Sequence, residues 1–270
     1  MTGPCISSGG DQDICAEIEI LWDGDLCVAV EKPTNLPTQA AAGIESLESI
    51  LRRQFAPRSE YVAFPHRLDR PVGGVVLVAL RKRAARLLSE QFASRKVRKE
   101  YRAVVEGRVS LDSDGQWLDH VRKIANVAKA EIVTEDASGA PDARLAETRV
   151  QLLHYNAQTD RSLLQLFPIT GRMHQLRLQA AHRGHPIVGD TLYGGAQLEA
   201  GDSRPPKEFD SSREPGISQS GGDTSLPIQG DRTRDADTRI LLRAHEIAFH
   251  DPRQGARVTV TASDKLSQSV

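Results

Sequence analysis

Residues 99–109 alternate without a break: Tyr101, Ala103, Val105, Gly107 and Val109 fall on one face, and Glu100, Arg102, Val104, Glu106 and Arg108 on the other. Side chains of extended backbone point to opposite sides in turn, so this period of two predicts a strand with one face buried. Such a strand needs partners, and the chain supplies them as hairpins. Residues 17–31 read as two strands around Asp23-Gly24-Asp25, 147–154 and 161–167 as two more joined by 156–160, and 239–250 turns at 251–255 into 257–261. Helical periodicity is confined to three places. Residues 46–55 carry Leu47, Ile50, Leu51 and Gln54 on one stripe, and 82–94 carry Ala84, Leu87, Leu88, Gln91 and Phe92. Gly171 opens a third helix across 173–183, which Gly184 and Pro186 close. Hairpins in the majority with few helices predict an α+β domain. Residues 116–132 show no clear period.

The most punctuated stretch is residues 61–80. Asp69 lies between Arg67 and Arg70, behind His66 and ahead of Pro71 and Gly73-Gly74, and a smooth apolar run from Val75 to Leu80 follows. Proline and paired glycines interrupt helices and central strands, so 65–74 is expected to be a loop feeding a buried strand. Guanidiniums on both sides favour an ionised Asp69. The local residues leave three roles open for it: nucleophile, base, or half of a structural salt bridge.

A chain of 270 residues suits one large domain or two small ones, and 39% apolar with 26% charged residues is a globular composition. A net charge of −1 argues against indiscriminate nucleic-acid binding, but the charge is unevenly spread. Residues 1–31 hold seven acids and no Lys or Arg, whereas 81–102 hold nine bases against two acids, a stripe that attracts phosphates. Cys5, Cys15 and Cys27 are odd in number and lack metal spacing. His154, His182 and His185 lack a further ligand nearby, so no metal is expected. The N-terminus has no apolar core of a secretory signal and no run approaches a membrane span, which makes a reducing cytoplasm the expected compartment. Residues 1–16 read as a disordered tail, 135–143 as a loop, 196–238 as a flexible insertion rich in Gly, Pro, Ser and Asp, and 263–270 as a C-terminal tail.

Three segments together resemble the RluA-type pseudouridine synthases: HRLDR at 66–70, KEYRAVVEG at 99–107 and GRMHQLR at 171–177, in the family's order within 18–262. The chain departs from the family at Val72-Gly73-Gly74, where many members read T-S-G. The resemblance implies a mixed, largely antiparallel sheet with flanking helices and a central cleft, formed by residues 17–262. It implies isomerisation of uridine to pseudouridine in ribosomal or transfer RNA, without cofactor, by a monomer lacking the S4 domain that relatives often carry. Asp69 would be the catalytic carboxylate, Arg177 its cation, and Tyr101 the platform under the uracil and a candidate proton acceptor. Arg67 would enter the space left by the flipped nucleotide. Arg70 and Arg172 would contact RNA around it, His174 and Gln175 would either contact RNA or support the residues that do, and Lys96, Arg98 and Lys99 would contribute from the basic stripe. Asp190 and Tyr193, in GDTLYG, would be structural, and His66 is as readily structural as functional. Two rivals are an RNA-binding relative without activity and a hydrolase, the second lacking any G-x-S-x-G or HExxH.

Overall fold

The computed structural model describes residues 17–112, 114–133, 142–198, 239–263 and 266. The expected N-terminal tail lies outside these residues. So do nearly all of the expected insertion, most of the C-terminal tail and most of the loop at 135–143. Ten strands form one sheet: β1 (Ile20–Asp23), β2 (Cys27–Lys32), β3 (Gly73–Ala79), β4 (Arg98–Glu106), β5 (Gln116–Lys123), β6 (Ala130–Val133), β7 (Arg144–Asn156), β8 (Arg161–Pro168), β9 (Leu242–His250) and β10 (Arg257–Thr261). They lie in the order β1-β2-β3-β9-β4-β8-β7-β5-β6, with β10 beside β9. Every named pairing is antiparallel except that of β3 with β9, which matches Gly73 with Arg243 and Gly74 with Ala244. The sheet is therefore mixed and largely antiparallel, as expected.

Helices α1 (Leu47–Phe55) and α2 (Lys82–Ala93) bury their apolar stripes with β2 and β3 in the main core. Ser46 caps α1 in a reciprocal box with Ser49, which satisfies amides the first helical turn leaves orphaned. Helix α3 (Gln175–His182) covers β5 and β6 over a second cluster of Val121, Ala130, Ala146 and Leu178.

The structure departs from the sequence expectations in four places. Strand β4 has both faces covered, because Val104 packs with Leu163, Val188 and Leu241 behind the sheet. Residues 116–132 form the β5–β6 hairpin; its alternation is masked because Asp119 points inward, where Gln179 (2.7 Å) and Arg183 (2.9 Å) satisfy it. Helix α3 begins only at Gln175, since His174 adopts left-handed backbone (φ 52°) and 171–174 stay in the loop. Gly73 and Gly74 belong to β3, so the Asp69 loop ends at Val72.

Gly74 explains the last point. Its φ is +119°, and a Cβ there would lie 2.1 Å from the Ala244 carbonyl oxygen, so only glycine lets β3 approach β9. Gly74→Ala is expected to destabilise the fold by about 3 kcal/mol or more. Gly43→Ala, at φ +85° but with open space around it, should cost roughly 1–2 kcal/mol. Chemical denaturation of both checks this, and equal losses would show that the β3–β9 approach is not tight.

Candidate active site

The Asp69 loop is held from beneath by Lys32, which ends β2 and is wholly buried. Its ammonium donates to the carbonyls of Pro33 (2.9 Å), Arg70 (3.2 Å) and Val72 (2.7 Å), matching its three donors. Burial pushes its pKa down to about 7, against the opposing pull of Asp69 and Glu31. The Thr38 hydroxyl donates to the Leu68 carbonyl (2.9 Å) and accepts from its amide (3.3 Å). His66 accepts the Leu77 amide on Nε2 (2.9 Å) and stacks on Phe92 with ring centres 4.8 Å apart, a structural role. The Val72 amide closes the turn onto the Asp69 carbonyl at 3.0 Å.

Opposite this loop stands Arg177 on α3. Its Nε and Nη2 each donate to Asp190 at 2.7 Å, and its Nη1 reaches Asp69 Oδ2 at 3.4 Å. The Asp190 side chain is 1% exposed and that of Asp69 33%, so the first carboxylate is committed to the arginine and the second is open to the cleft. Burial works against the Arg177 charge, but the hydrogen bonds and charge of Asp190, with the charge of Asp69, more than offset it and raise its pKa. His174 places Nε2 3.8 Å from Asp69 Oδ2 and Nδ1 2.9 Å from the Tyr193 hydroxyl. Tyr101 lines the cleft from β4, and burial, then the charge of Asp69, pushes its phenol well above the ordinary value.

These groups line one cleft of about 1690 Å³ whose walls also carry Arg67, Arg70, Arg95, Lys99, Lys123 and Arg172. The structure thus brings Asp69, Tyr101, Arg177 and His174 together, with Arg67, Arg70 and Arg172 exposed around them. Gln175, Lys96 and Arg98, also expected near RNA, are placed differently from these. Gln175 is buried and spends its amide on Thr170, Thr148, the Arg172 amide and the Glu147 carbonyl, which makes it a brace of the loop before α3. Lys96 and Arg98 are exposed but do not line the cleft: Lys96 precedes β4, and Arg98 at its start faces Glu246 at 3.7 Å. Lys99 does line the cleft, donating to the Thr170 carbonyl at 3.4 Å, and burial lowers its pKa to about 8. Sequence reasoning missed the direct grip of Asp190 on Arg177, the tie from Tyr193 to His174, and the part played by Lys32, Arg95 and Lys123. The thirteen-residue step from Arg177 to Asp190 offers no local signal of contact. Among the described residues there is no group of three or more His, Cys, Asp or Glu set to hold a metal, and no helix long and apolar enough to cross a membrane.

A carboxylate beside a clamped arginine thus stands in a cation-walled cleft of a mixed sheet. The same overall fold is found in the solved structures of Human RNA Pseudouridylate Synthase Domain Containing 1 and 4. The first aligns with a TM-score of 0.63 at 23% identity, over 96% of this chain and 86% of that one. The second gives 0.61 at 20%, over 93% and 91%. The chain belongs to the RNA pseudouridylate synthase family, which its residues 26–182 match. It is 36% identical over 189 residues to tRNA pseudouridine synthase C of Haemophilus ducreyi, covering 66% of this chain and 74% of that protein. It is 27% identical over 256 residues to ribosomal large subunit pseudouridine synthase C of the same species, covering 92% and 66%. With the ribosomal enzyme of Buchnera aphidicola the figures are 30% over 188 residues, 67% and 55%. The chain therefore spans 66% and 55% of the length of these two ribosomal relatives.

Enclosure lowers the His66 pKa from 6.5 to about 3, chiefly by desolvation and secondly through the charge of Lys99. The unfolded chain then binds a proton between these values that the folded chain refuses, so this residue's contribution is present above pH 6.5 and lost as pH falls toward 3. His66→Gln keeps an acceptor for Leu77 without a titrating ring. The stability advantage of the wild type over this variant is expected to shrink between pH 6.5 and 4.5, by up to roughly 2.5 kcal/mol and less in proportion to the ring's remaining exposure to the cleft. Thermal melts across that range test it, and a gap independent of pH would show that His66 titrates normally.

Proposed function

We propose that this chain isomerises uridine to pseudouridine in ribosomal or transfer RNA, with Asp69 as the nucleophilic or electrostatic catalyst. The observation that carries this reading is the asymmetric sharing of Arg177. Its fork is anchored on buried Asp190 and its remaining edge is offered to the open carboxylate of Asp69. The names of the relatives and the family match support the same reaction. The reaction breaks the N-glycosidic bond, turns the base and rejoins it through carbon, which exchanges no electrons and calls for no cofactor. The target nucleotide leaves its stack at a cost of a few kcal/mol. Tyr101 then supplies a face for the uracil, a contact worth about 1–3 kcal/mol. Arg67, exposed at the mouth beside Asp69, takes up the vacated space, since a planar guanidinium stacks on bases as well as pairing with phosphate. A substrate among ribosomal or transfer RNAs supports a cytoplasmic setting.

Tritium release from 5-tritiated uridine in unmodified bulk transfer and ribosomal RNA tests the reading. Asp69→Asn should abolish product while leaving RNA binding nearly intact, and EDTA should change nothing. Arg177→Ala should slow turnover by at least about a hundredfold. A silent wild type on both RNAs, or turnover by Asp69→Asn, would hand the chain to the RNA-binding reading. RNA affinity should fall with log K linear in log salt. Reversal of Arg95 to Glu should make that slope about one unit shallower, more than reversal of Lys96 or Arg98, which stand outside the cleft.

A further inference from the structure

On the isomerase reading, the placement of Arg177 at Asp69 makes a demand on the whole of α3. Asp190 fixes the plane of the guanidinium, but the reach of Nη1 to Asp69, already 3.4 Å, also depends on how the helix is turned about its own axis. Rotating α3 by about 10° would carry a group about 6 Å from that axis by roughly 1 Å. A misplacement of that size can lower a rate on the order of a hundredfold. The apolar side chains of α3 do not set the rotation. Leu176 and Ala180 enter the main core while Leu178 enters the second cluster, and apolar burial has no preferred direction.

The directional contacts lie on the face away from Arg177. Gln175 and Gln179, one turn apart, share that face and are both buried. Between them stands Thr148 of β7, wholly buried and outside the cleft lining. The bonds linking the three can run only one way. The Arg172 amide can only donate, so at 2.9 Å it fixes Gln175 Oε1 as an acceptor, with the Thr170 hydroxyl beside it at 2.8 Å. Gln175 Nε2 then donates to the Glu147 carbonyl (3.0 Å) and to the Thr148 hydroxyl (2.9 Å). That hydroxyl gives its single proton to Gln179 Oε1 at 2.7 Å. Gln179 Nε2 is thereby turned onto Asp119 Oδ2 (2.7 Å), which Arg183 at the end of α3 also meets at 2.9 Å. A continuous chain of bonds runs from the cleft loop, along the inner face of α3, to an ion pair at its far end. Among the described residues, Thr148 is the one group that bonds both glutamines.

We propose that Thr148 is a positioning residue of the isomerisation: its hydroxyl joins Gln175 to Gln179, fixes the rotation of α3 on the sheet, and so holds Arg177 at Asp69. A satisfied buried network resists small displacements, because moving one member strains the bonds of the next. Valine in place of Thr148 matches its shape but takes away the hydroxyl, which leaves Gln179 Oε1 without its donor and Gln175 Nε2 with the Glu147 carbonyl alone.

Single-turnover pseudouridine formation at saturating enzyme, set beside RNA affinity, tests this at a temperature where melts show each variant folded. Thr148→Val is expected to slow the reaction by about ten- to a hundredfold while changing the RNA Kd by less than about threefold. Thr148→Ser, which restores the hydroxyl, should return the rate to within about threefold of wild type. In an Arg177→Ala background Thr148→Val should add less than about a twofold loss, because it acts through the missing arginine. A folded Thr148→Val protein with the wild-type rate, a failure of Thr148→Ser to rescue, or losses that multiply with Arg177→Ala would overturn the proposal and leave the isomerase reading standing. If Thr148→Val does not fold, Gln179→Met keeps the side chain's length, breaks the same chain of bonds, and carries the comparisons with RNA affinity and with Arg177→Ala. A wild type that forms no pseudouridine would overturn both.

Discussion

The bidentate pair between Arg177 and Asp190 is the interaction on which the site depends. Two charges buried together are tolerated only if their geometry is good and their hydrogen-bonding capacity is used, because desolvation otherwise exceeds the attraction. Here Nε and Nη2 meet the two carboxylate oxygens at equal distances of 2.7 Å. That fixes the guanidinium plane and leaves the Nη1 edge pointing at Asp69. Tyr193, three residues after Asp190, lies under the same guanidinium at 5.3 Å and meets His174 edge-on at 5.7 Å between ring centres. The turn that carries Asp190 is itself tight: the Gly195 amide bonds the Asp190 carbonyl at 2.8 Å, and a Cβ on Gly195 would lie 2.2 Å from the Ile187 carbonyl oxygen. Arg177, fixed by this ion pair, therefore touches Asp69 and Tyr193, and Tyr193 in turn touches His174.

The Asp69 side is built by different means. No ion pair grips this carboxylate as Asp190 is gripped; its backbone is pinned instead by Lys32, Thr38 and His66, and its side chain is left with partial exposure. Burying an ammonium against three carbonyls is costly, and the lowered pKa of Lys32 is the signature of that cost. A fixed loop with an uncommitted carboxylate is the arrangement a catalyst of charge rearrangement needs, since reorganisation during reaction is avoided.

Much of this was legible in the chain. The strand at 98–106, the helices at 47–55 and 82–93 and the loop around Asp69 follow from period and punctuation, although β4 proves to be covered on both faces. Legibility failed where polar residues face inward. Asp119 hid the strand β5, and Gln175, Arg177 and Gln179 deprive α3 of an apolar stripe although all three are buried. Such residues are read correctly only with their partners, and Thr148, Asp119 and Asp190 lie 13 to 60 positions away. At the departure, Val72 is a core residue and a Cβ on Gly73 would lie 3.1 Å from Thr34 Cγ2 and 3.2 Å from the Lys32 carbonyl oxygen, while the retained Gly74 is demanded by β9.

The basic stripe divides in the folded chain. Arg81, Lys82, Arg83 and Arg86 are exposed around α2, and Lys96 and Arg98 are exposed off the cleft, whereas Arg95 and Lys99 line it. Exposed charges farther than about 8–10 Å from a ligand are screened at physiological salt and act mainly on encounter. Those on the cleft wall sit in a concave site of lower dielectric, where the field is focused and each charge is worth more. A run of like charge in sequence thus separates into residues on the cleft wall beside Asp69 and residues away from it. Arg95 takes left-handed backbone (φ 56°) in the connection from α2 to β4, and beyond it the alternation of β4 leaves Arg98 off the cleft and Lys99 on it.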